Sequence, residues 1–463
     1  MFQHSGTLHE VVGNGRRLLF HTPTAALFEA DAVTGAVLDL LREGAAPASL
    51  ARQLDGRFPP SEIATALDEL QRLDRPAVTA PAATAPLTTL VLALTSGCNL
   101  ACDYCYKHDL SNPAAARRMT PGRAAQAVDL LLRASGKAPK VTVTFFGGEP
   151  LLEMPVIRAT IAYAEAATAA AGKKVDFSLT TNGTLLDDAT IDFLDAHRVG
   201  ITVSLDGPAA LHDRHRRTRG GQGSHALAAA GARRLLARPR ARRAGARVTL
   251  AAGCTDVATI HAYLHDELGF DEIGFAPVTA GTPAEFRLSD DELAIVFDGF
   301  KALGLRWRDA AIEGRDLGFG NLANLVTALN RGMTRALPCG AGTQMLAADA
   351  EGTLHLCHRF VGDSEVPSFG TLDAGIDTEA VTAFVARAQA RAEGCAGCIA
   401  RPVCAGGCYH ESQSRYGDLF RPTDHYCTLM RDWIRFGIGV TADIMARNPA
   451  FFAANNQPRR AAR

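Results

Sequence analysis

The sequence lacks the features that send a chain to a membrane, to a nucleic acid or out of the cell. No apolar run approaches the roughly 20 residues a helix needs to cross a bilayer. The opening stretch, MFQHSGTLHEVVGNGRR, has no basic head followed by an apolar segment, so nothing in it reads as a secretion signal. The formal net charge is -1, which leaves no global field suited to nucleic acid or to an acidic membrane. These absences place the protein in the cytoplasm, with no membrane and no nucleic-acid partner expected. Wholesale disorder is excluded as well, because 47% of the residues are hydrophobic and only 21% charged. At about 100–200 residues per domain, 463 residues make two to four domains.

A reducing compartment gives the 11 cysteines meaning, because clustered thiols there are more often metal ligands than disulfides. Three crowd into 98-CNLACDYC-105. Seven lie C-terminal, at 339, 357, 395, 398, 404, 408 and 427. Cys254 stands alone at the end of a predicted strand and reads as a buried apolar residue.

The chain divides by texture. In residues 1–80, LHEVVG and RRLLFHT alternate as a strand pair around Gly13-Asn14-Gly15. AVTGAVLDLLREG, PASLARQLDGRF and SEIATALDELQRL then show helical spacing, the first ending on Gly44 and the last capped by Ser61. A ribbon with three short helices predicts a winged-helix-like module. Alanine and proline then mark a linker, TAPAATAPL, with 81–87 as its span before the next domain. Over 88–332, six strand-like runs (LTTLVLAL, KVTVTFF, VDFSLTT, GITVSLD, RVTLAAG and EIGFAPV) are mostly separated by helical stretches. That pattern predicts an α/β fold with a parallel sheet. Six units are too few for a closed eight-unit barrel, so a partial (β/α)6 barrel is expected, with its chemistry at the C-terminal ends of the strands. Residues 333–430 are rich in cysteine and glycine and contain a hairpin in MLAADAEGTLHLC turning at Ala350-Glu351-Gly352. From about 428, and over 431–463 as a unit, one helix and a basic tail are expected. The run RRLLARPRARRAGAR (233–247) is the best nucleic-acid candidate, but it reads as the outer face of a crossover helix and its loop.

Three thiols in eight residues suit a metal clip, half of a zinc site, or the holder of a cluster with an open position. Zinc sites usually draw four ligands as two pairs. Ferredoxin runs have other spacings and a fourth cysteine nearby, whereas the next cysteine here is Cys254. Three thiolates on a cubane leave one iron free to chelate a small molecule. Further along, 147-GGEP-150 follows the second predicted strand. Its two glycines allow close backbone approach, and its carboxylate can accept from a cationic amine. SLDGPAALHDRHR (204–216) follows the fourth, and an arginine fork suits a carboxylate.

This set of motifs resembles the radical S-adenosylmethionine superfamily. The resemblance implies that Cys98, Cys102 and Cys105 hold a [4Fe-4S] cluster whose open iron binds S-adenosylmethionine. It implies that Gly147, Gly148 and Glu149 hold the methionine amine, that Ser204 contacts the ribose and Arg216 the methionine carboxylate, and that Tyr104 lies by the adenine. Asn182 in TTNGT also matches, although a turn asparagine explains it equally well. The C-terminal order, Cys339, Gly352, Cys357, then 395-CAGCIARPVCAGGC-408 and Cys427, resembles the SPASM domain of radical enzymes that modify peptides and proteins. By that resemblance one auxiliary iron–sulfur cluster takes Cys339, Cys357 and Cys408, and another takes Cys395, Cys398, Cys404 and Cys427. Seven cysteines cannot fill eight positions. Either His355, His358 or Asp349 completes the first cluster, or an iron stays open to a substrate thiolate.

Residues 1–80 resemble the recognition element fused to such maturases, which implies a peptide or small-protein substrate whose leader segment adds a strand to the ribbon. A flavodoxin or ferredoxin electron donor is implied as well. Sulfatase maturases carry an aspartate directly after the cysteine that corresponds to Cys357. His358 stands there instead, and it is the candidate base. FHTPTAALFEADAVTGAVLDLL and LCHRFVGD resemble the family that matures the small subunit of quinohemoprotein amine dehydrogenase by joining cysteine sulfur to an Asp or Glu side-chain carbon. Carbon–carbon cross-linking, epimerisation and sulfatase-type oxidation share every motif above. A non-enzymatic metal scaffold is the alternative from outside enzymology.

Overall fold

The computed structural model describes residues 7–13, 15–73, 85–107, 109–278, 280–363 and 365–455. The expected turn residue Asn14, positions 81–84 of the expected linker and the basic tail beyond 455 lie outside the described residues.

The N-terminal module is a meander, β1 (Leu8–Gly13), β2 (Arg16–His21) and β3 (Ala26–Glu29), in the order β1-β2-β3 and antiparallel throughout. β3 is unexpected: ALFE is short, and sequence reading merges it with the loop. Three helices follow, α1 (Ala32–Arg42), α2 (Leu50–Gln53) and α3 (Pro60–Leu73). Asp31 caps α1 through the Thr34 N–H, and Gly44 takes the left-handed conformation just past its end. α3 begins at Pro60, so Ser61 lies inside its first turn and does not cap it as expected. Leu19, Val37, Leu38, Leu50, Ile63 and Leu70 form the module's own core.

The central sheet contains the six expected parallel strands: β4 (Thr89–Ala93), β5 (Lys140–Phe146), β6 (Lys174–Thr181), β7 (Gly200–Ser204), β8 (Gly245–Leu250) and β9 (Glu272–Pro277). Crossover helices α4 (Pro121–Ala134), α5 (Met154–Ala170), α6 (Asp188–Ala196), α7 (Ala209–His215), α8 (His225–Leu236) and α9 (Val257–Ala262) connect them, and α10 (Asp290–Ile312) and α11 (Gly320–Asn330) come after β9. The period-2 rule sorts each strand. Val143, Phe145, Leu179, Val203, Val248 and Phe275 are buried in the main core. Their neighbours Thr144, Phe146, Thr180, Thr202, Ser204, Arg247 and Thr249 line the lumen.

The expected hairpin exists as β10 (Met345–Ala348) and β11 (Leu354–His355), but it does not stand apart. β10 pairs parallel with β4, Leu346 opposite Leu90, and extends the barrel sheet to eight strands in the order β11-β10-β4-β5-β6-β7-β8-β9. The cysteine-rich segment is thereby fastened to the first barrel strand. A small hairpin, β12 (Gly370–Thr371) and β13 (Gly375–Ile376), and helices α12 (Thr378–Glu393), α13 (Arg401–Cys404) and α14 (Tyr409–Tyr416) follow. The expected single terminal helix is two, α15 (Cys427–Arg447) and α16 (Ala450–Asn455). Arg16 of the N-terminal module donates to the Ala442 carbonyl of α15.

The arginine-rich run is largely satisfied inside the protein. Arg238 meets Asp188 and Asp192, Arg240 meets Asp271, Arg242 meets Asp176, and Arg243 meets Asp316. Arg247, the last of the run, departs from the expected outer face because it belongs to β8 and lines the lumen. Among the described residues no helix is long and apolar enough to cross a membrane.

Candidate active site

A cavity of about 510 Å³ opens at the C-terminal ends of the barrel strands. Cys98, Cys102 and Cys105 line it, together with Tyr104, Gly147, Gly148, Glu149, Asn182, Ser204, Arg216 and His358. The structure thus brings together the three N-terminal thiols, every residue expected around the cofactor and the candidate base.

The glycines of GGEP have a packing role. The Gly148 N–H donates to Thr95 O and the Glu149 N–H to Gly97 O, zipping this loop onto the cysteine loop. A Cβ on Gly148 would lie 2.1 Å from Gly97 O, and one on Gly147, whose φ is 142°, would lie 2.7 Å from Thr95 O. Glu149 is buried and accepts from the Leu151 N–H, the Thr181 hydroxyl and the Asn182 N–H at 3.0, 2.8 and 2.8 Å. Burial raises its pKa to about 7 despite those donors. Asn182 donates to Asn99 Oδ1 at 2.8 Å and accepts from Thr184, tying β6 to the cysteine loop. Its Nδ2 is also 4.0 Å from Cys98 Sγ.

Arg216 is not an open fork. Its Nε lies 2.7 Å from Asp206 Oδ2 and its NH2 group 3.3 Å from Oδ1, both residues being buried. The Tyr104 hydroxyl donates to the same carboxylate, and the Arg216 guanidinium is 5.4 Å from the Tyr104 ring centroid. Both residues expected to touch the cofactor are therefore engaged with Asp206. The sequence reading passed over Asp206, although its place in SLDG, directly after the fourth strand, was a usable signal.

His212 supports this cluster. Ser224 Oγ donates to Arg216 O, so His212 Nε2 donates to Ser224 Oγ at 3.0 Å and its Nδ1 accepts from the Asp206 N–H at 3.3 Å. Burial, then the Arg216 charge, pushes its pKa down to about 3.

His358 packs against Phe146, ring centroids 4.4 Å apart. Burial, followed by the charges of Arg359 and Lys107 and by His410 and Arg247, lowers its pKa to about 3. A neutral imidazole among cations is a weak base, so this arrangement lends no support to His358 as the base. His355 and Asp349 are bonded to each other at 2.8 Å, and Asp349 also accepts from the Glu351 and Thr353 N–H groups. They hold the β10–β11 turn.

The C-terminal cysteines fall into two groups. Cys339, Cys357 and Cys408 lie within electrostatic reach of one another. So do Cys395, Cys398, Cys404 and Cys427. A second cavity, of about 470 Å³, is lined by Cys395, Cys398, Cys404, Cys408 and Cys427. Burial first, then neighbouring thiols, pushes Cys102 and Cys357 up to about 12 and Cys98 to about 11. Such buried thiols ionise only against a cation, and the soft sulfur donor set suits iron. Among the described residues no three His, Cys, Asp or Glu side chains converge on a single metal ion. Thiols spaced around a cavity suit a multi-iron cluster. Cys254, 3% exposed with Sγ 4.0 Å from Leu211 O, is the expected buried apolar cysteine.

A partial parallel barrel with a cysteine triplet after its first strand is the radical S-adenosylmethionine fold. Residues 92–239 match the sequence profile of the Radical SAM superfamily. The chain therefore carries a radical SAM domain, the catalytic fold of an enzyme superfamily. It is 26% identical to the serine-type anaerobic sulfatase-maturating enzyme of Klebsiella aerogenes over 73% of this chain and 84% of that one. It is 30% identical to the cysteine-type enzyme of Clostridium perfringens, but over only 28% of this chain and 36% of that one. Several of the curated relatives are matched over only about a third of their own length. Among solved structures, anSMEcpe with bound AdoMet superposes with a TM-score of 0.68 at 19% identity, covering 81% of this chain and 100% of the other. Streptococcus suis SuiB bound to its precursor peptide SuiA superposes at 0.53 and 14% identity, covering 91% and 99%.

Proposed function

We propose that the protein is a radical SAM peptide maturase that joins a cysteine sulfur to an Asp or Glu side-chain carbon. The observation that carries this reading is the sorting of ten cysteines into groups of three, three and four, two of the groups bordering neighbouring cavities. Cys98, Cys102 and Cys105 would hold the cofactor cluster. Cys339, Cys357 and Cys408 would hold an auxiliary cluster short of one thiolate, and Cys395, Cys398, Cys404 and Cys427 would hold a filled one. When bound, S-adenosylmethionine and its cluster supply a 5′-deoxyadenosyl radical able to take hydrogen from an unactivated C–H.

The chain's own residues orient and enclose. The GGEP loop, locked to the cysteine loop, presents backbone and the Glu149 carboxylate to the methionine end. Ser204 and Thr202 offer hydroxyls from the lumen side of β7. Tyr104, Asp206 and Arg216 form a buried, mutually satisfied wall that excludes water and keeps the first thiol loop in register with β7 and β8. The 3:4 division at the C-terminal end leaves a place where a substrate thiol can complete the first group. The edges of the β1-β2-β3 sheet suit a leader segment adding a strand, and an iron–sulfur or flavin protein would supply electrons.

Sulfatase-type oxidation is the second reading, favoured by the alignment with the Klebsiella enzyme over 73% of the chain. His358 in place of an aspartate weighs against it. Anaerobic incubation with a peptide bearing cysteine and Asp or Glu separates the two. Loss of two hydrogens together with the alkylatable thiol supports a thioether. Loss of hydrogen from the thiol-bearing carbon to give an aldehyde supports the second reading and sinks the first.

A further inference from the structure

We infer that Arg247 and Arg359 form a carboxylate-binding site on the wall shared by the two cavities, and that its ligand is an acidic side chain of the peptide substrate. Both residues line the cofactor cavity and the cavity of the C-terminal cysteines. Arg247 lies on the lumen side of β8, its Cα paired with that of Ser204 on β7. Arg359 comes from the turn after Cys357, with its guanidinium 4.7 Å from the Tyr106 ring centroid. Burial and the Arg359 charge both work against the charge on Arg247.

An arginine run elsewhere paired residue by residue with carboxylates ends here in one that has none among the described residues. The acidic residues lining the two cavities are Glu149 and Glu411. Glu149 is held by three donors, as described above. Glu411 accepts from the Ala280 N–H and from Arg415, and lies 3.3 Å from His425. Neither serves Arg247. Two guanidiniums facing one another in a partly desolvated cleft are stable together when an anion lies between them, and a planar carboxylate fits two such forks. The site faces the lumen on one side and the cysteine cavity on the other. A carboxylate held there places the adjoining methylene carbons toward the first and leaves the peptide's thiol to reach the second.

The assignment to a peptide side chain rests on the maturase reading, whereas the existence of a carboxylate site does not. The methionine carboxylate of S-adenosylmethionine is the other source of the same chemistry, and the experiment separates them. Glutarate, a mimic of the glutamate side chain, and its uncharged counterpart glutaramide are tested against the anaerobically reconstituted full chain by saturation-transfer NMR, with and without saturating S-adenosylmethionine. Glutarate is expected to bind wild type with S-adenosylmethionine present, glutaramide not to bind, and Arg247→Gln to weaken glutarate binding at least several-fold. Arg247→Lys, which keeps the charge without the fork, is expected to fall between, and Arg359→Gln reports on the same site if Arg247→Gln does not fold. Equal binding to wild type and a folded Gln variant, equal binding of glutaramide, or displacement of glutarate by S-adenosylmethionine overturns the proposal. Thiol loss in the peptide assay is read separately, so failure of the thioether reading is not confused with failure of this site.

Discussion

Arg216 and Asp206 form a buried ion pair at 2.7 Å, and the Tyr104 hydroxyl closes on the same carboxylate. The pair joins the first cysteine loop to the ends of β7 and β8, because the Thr249 N–H also donates to Asp206 Oδ1 at 2.8 Å. Removing one partner leaves a buried charge uncompensated. Asp206→Asn is expected to lower stability by about 3–5 kcal/mol, and a double variant with Arg216→Met to lose less than the two single losses added together. Denaturant unfolding of the four proteins checks this. Full additivity would show that the two side chains do not act as a pair.

The packing of GGEP against the cysteine loop makes a steric prediction. Gly148→Ala places a methyl 2.1 Å from Gly97 O, so the two loops must part. The variant is expected to lose roughly 1–3 kcal/mol and the iron held by the first thiol loop. Gly13→Ala, with open space around the added carbon and no positive φ, is the control and is expected to stay within about 0.5 kcal/mol of wild type. Normal iron content in Gly148→Ala would show that the loop contact does not matter to the site.

His212 gives a pH dependence. Its folded pKa, near 3, is below its ordinary value of 6.5, so between those values the unfolded chain binds the extra proton and the folded one does not. Its contribution is therefore complete above pH 6.5 and declines as pH falls toward 3, by up to about 1.4 kcal/mol per pH unit. Over that range unfolding free energy should fall more steeply for wild type than for His212→Gln. Parallel curves would mean that His212 titrates normally in the folded protein.

Strands β4 to β9 were legible in the sequence because each has several buried apolar positions at period 2 between helical stretches. The thiol spacing was legible because it is local. What stayed hidden depends on distant pairing. The attachment of β10 to β4, Leu346 opposite Leu90, joins segments some 250 residues apart, and nothing in either segment announces the other. Arg216 looked like one more member of a basic run until Asp206 was found against it. Arg247 looked like surface until strand phase turned it into the lumen. Arg391 was missed because a single arginine in an alanine-rich helix carries no motif, yet it is buried and donates to Gly406 O and Ser412 Oγ beside the cysteine loop.

The grouping of the C-terminal thiols predicts how iron is lost. Cys339→Ala and Cys395→Ala should each remove the iron of one auxiliary cluster and leave the other, and the double variant should remove both. The iron held at Cys98, Cys102 and Cys105 should persist in all three. Iron and sulfide analysis with electron paramagnetic resonance reads the outcome. If Cys339→Ala also empties the group around Cys395, the thiols form one site and the division into two is wrong.

The central claim is that this chain generates a radical at the thiol triplet and uses it on a peptide. The most direct measurement is mass spectrometry after anaerobic incubation of the reconstituted protein with S-adenosylmethionine, a reductant and a peptide bearing cysteine and Asp or Glu. The account predicts 5′-deoxyadenosine, together with a peptide lighter by two hydrogens and without its alkylatable thiol. Cys98→Ala should yield neither product. Absence of 5′-deoxyadenosine from wild type carrying its full complement of iron would contradict the account.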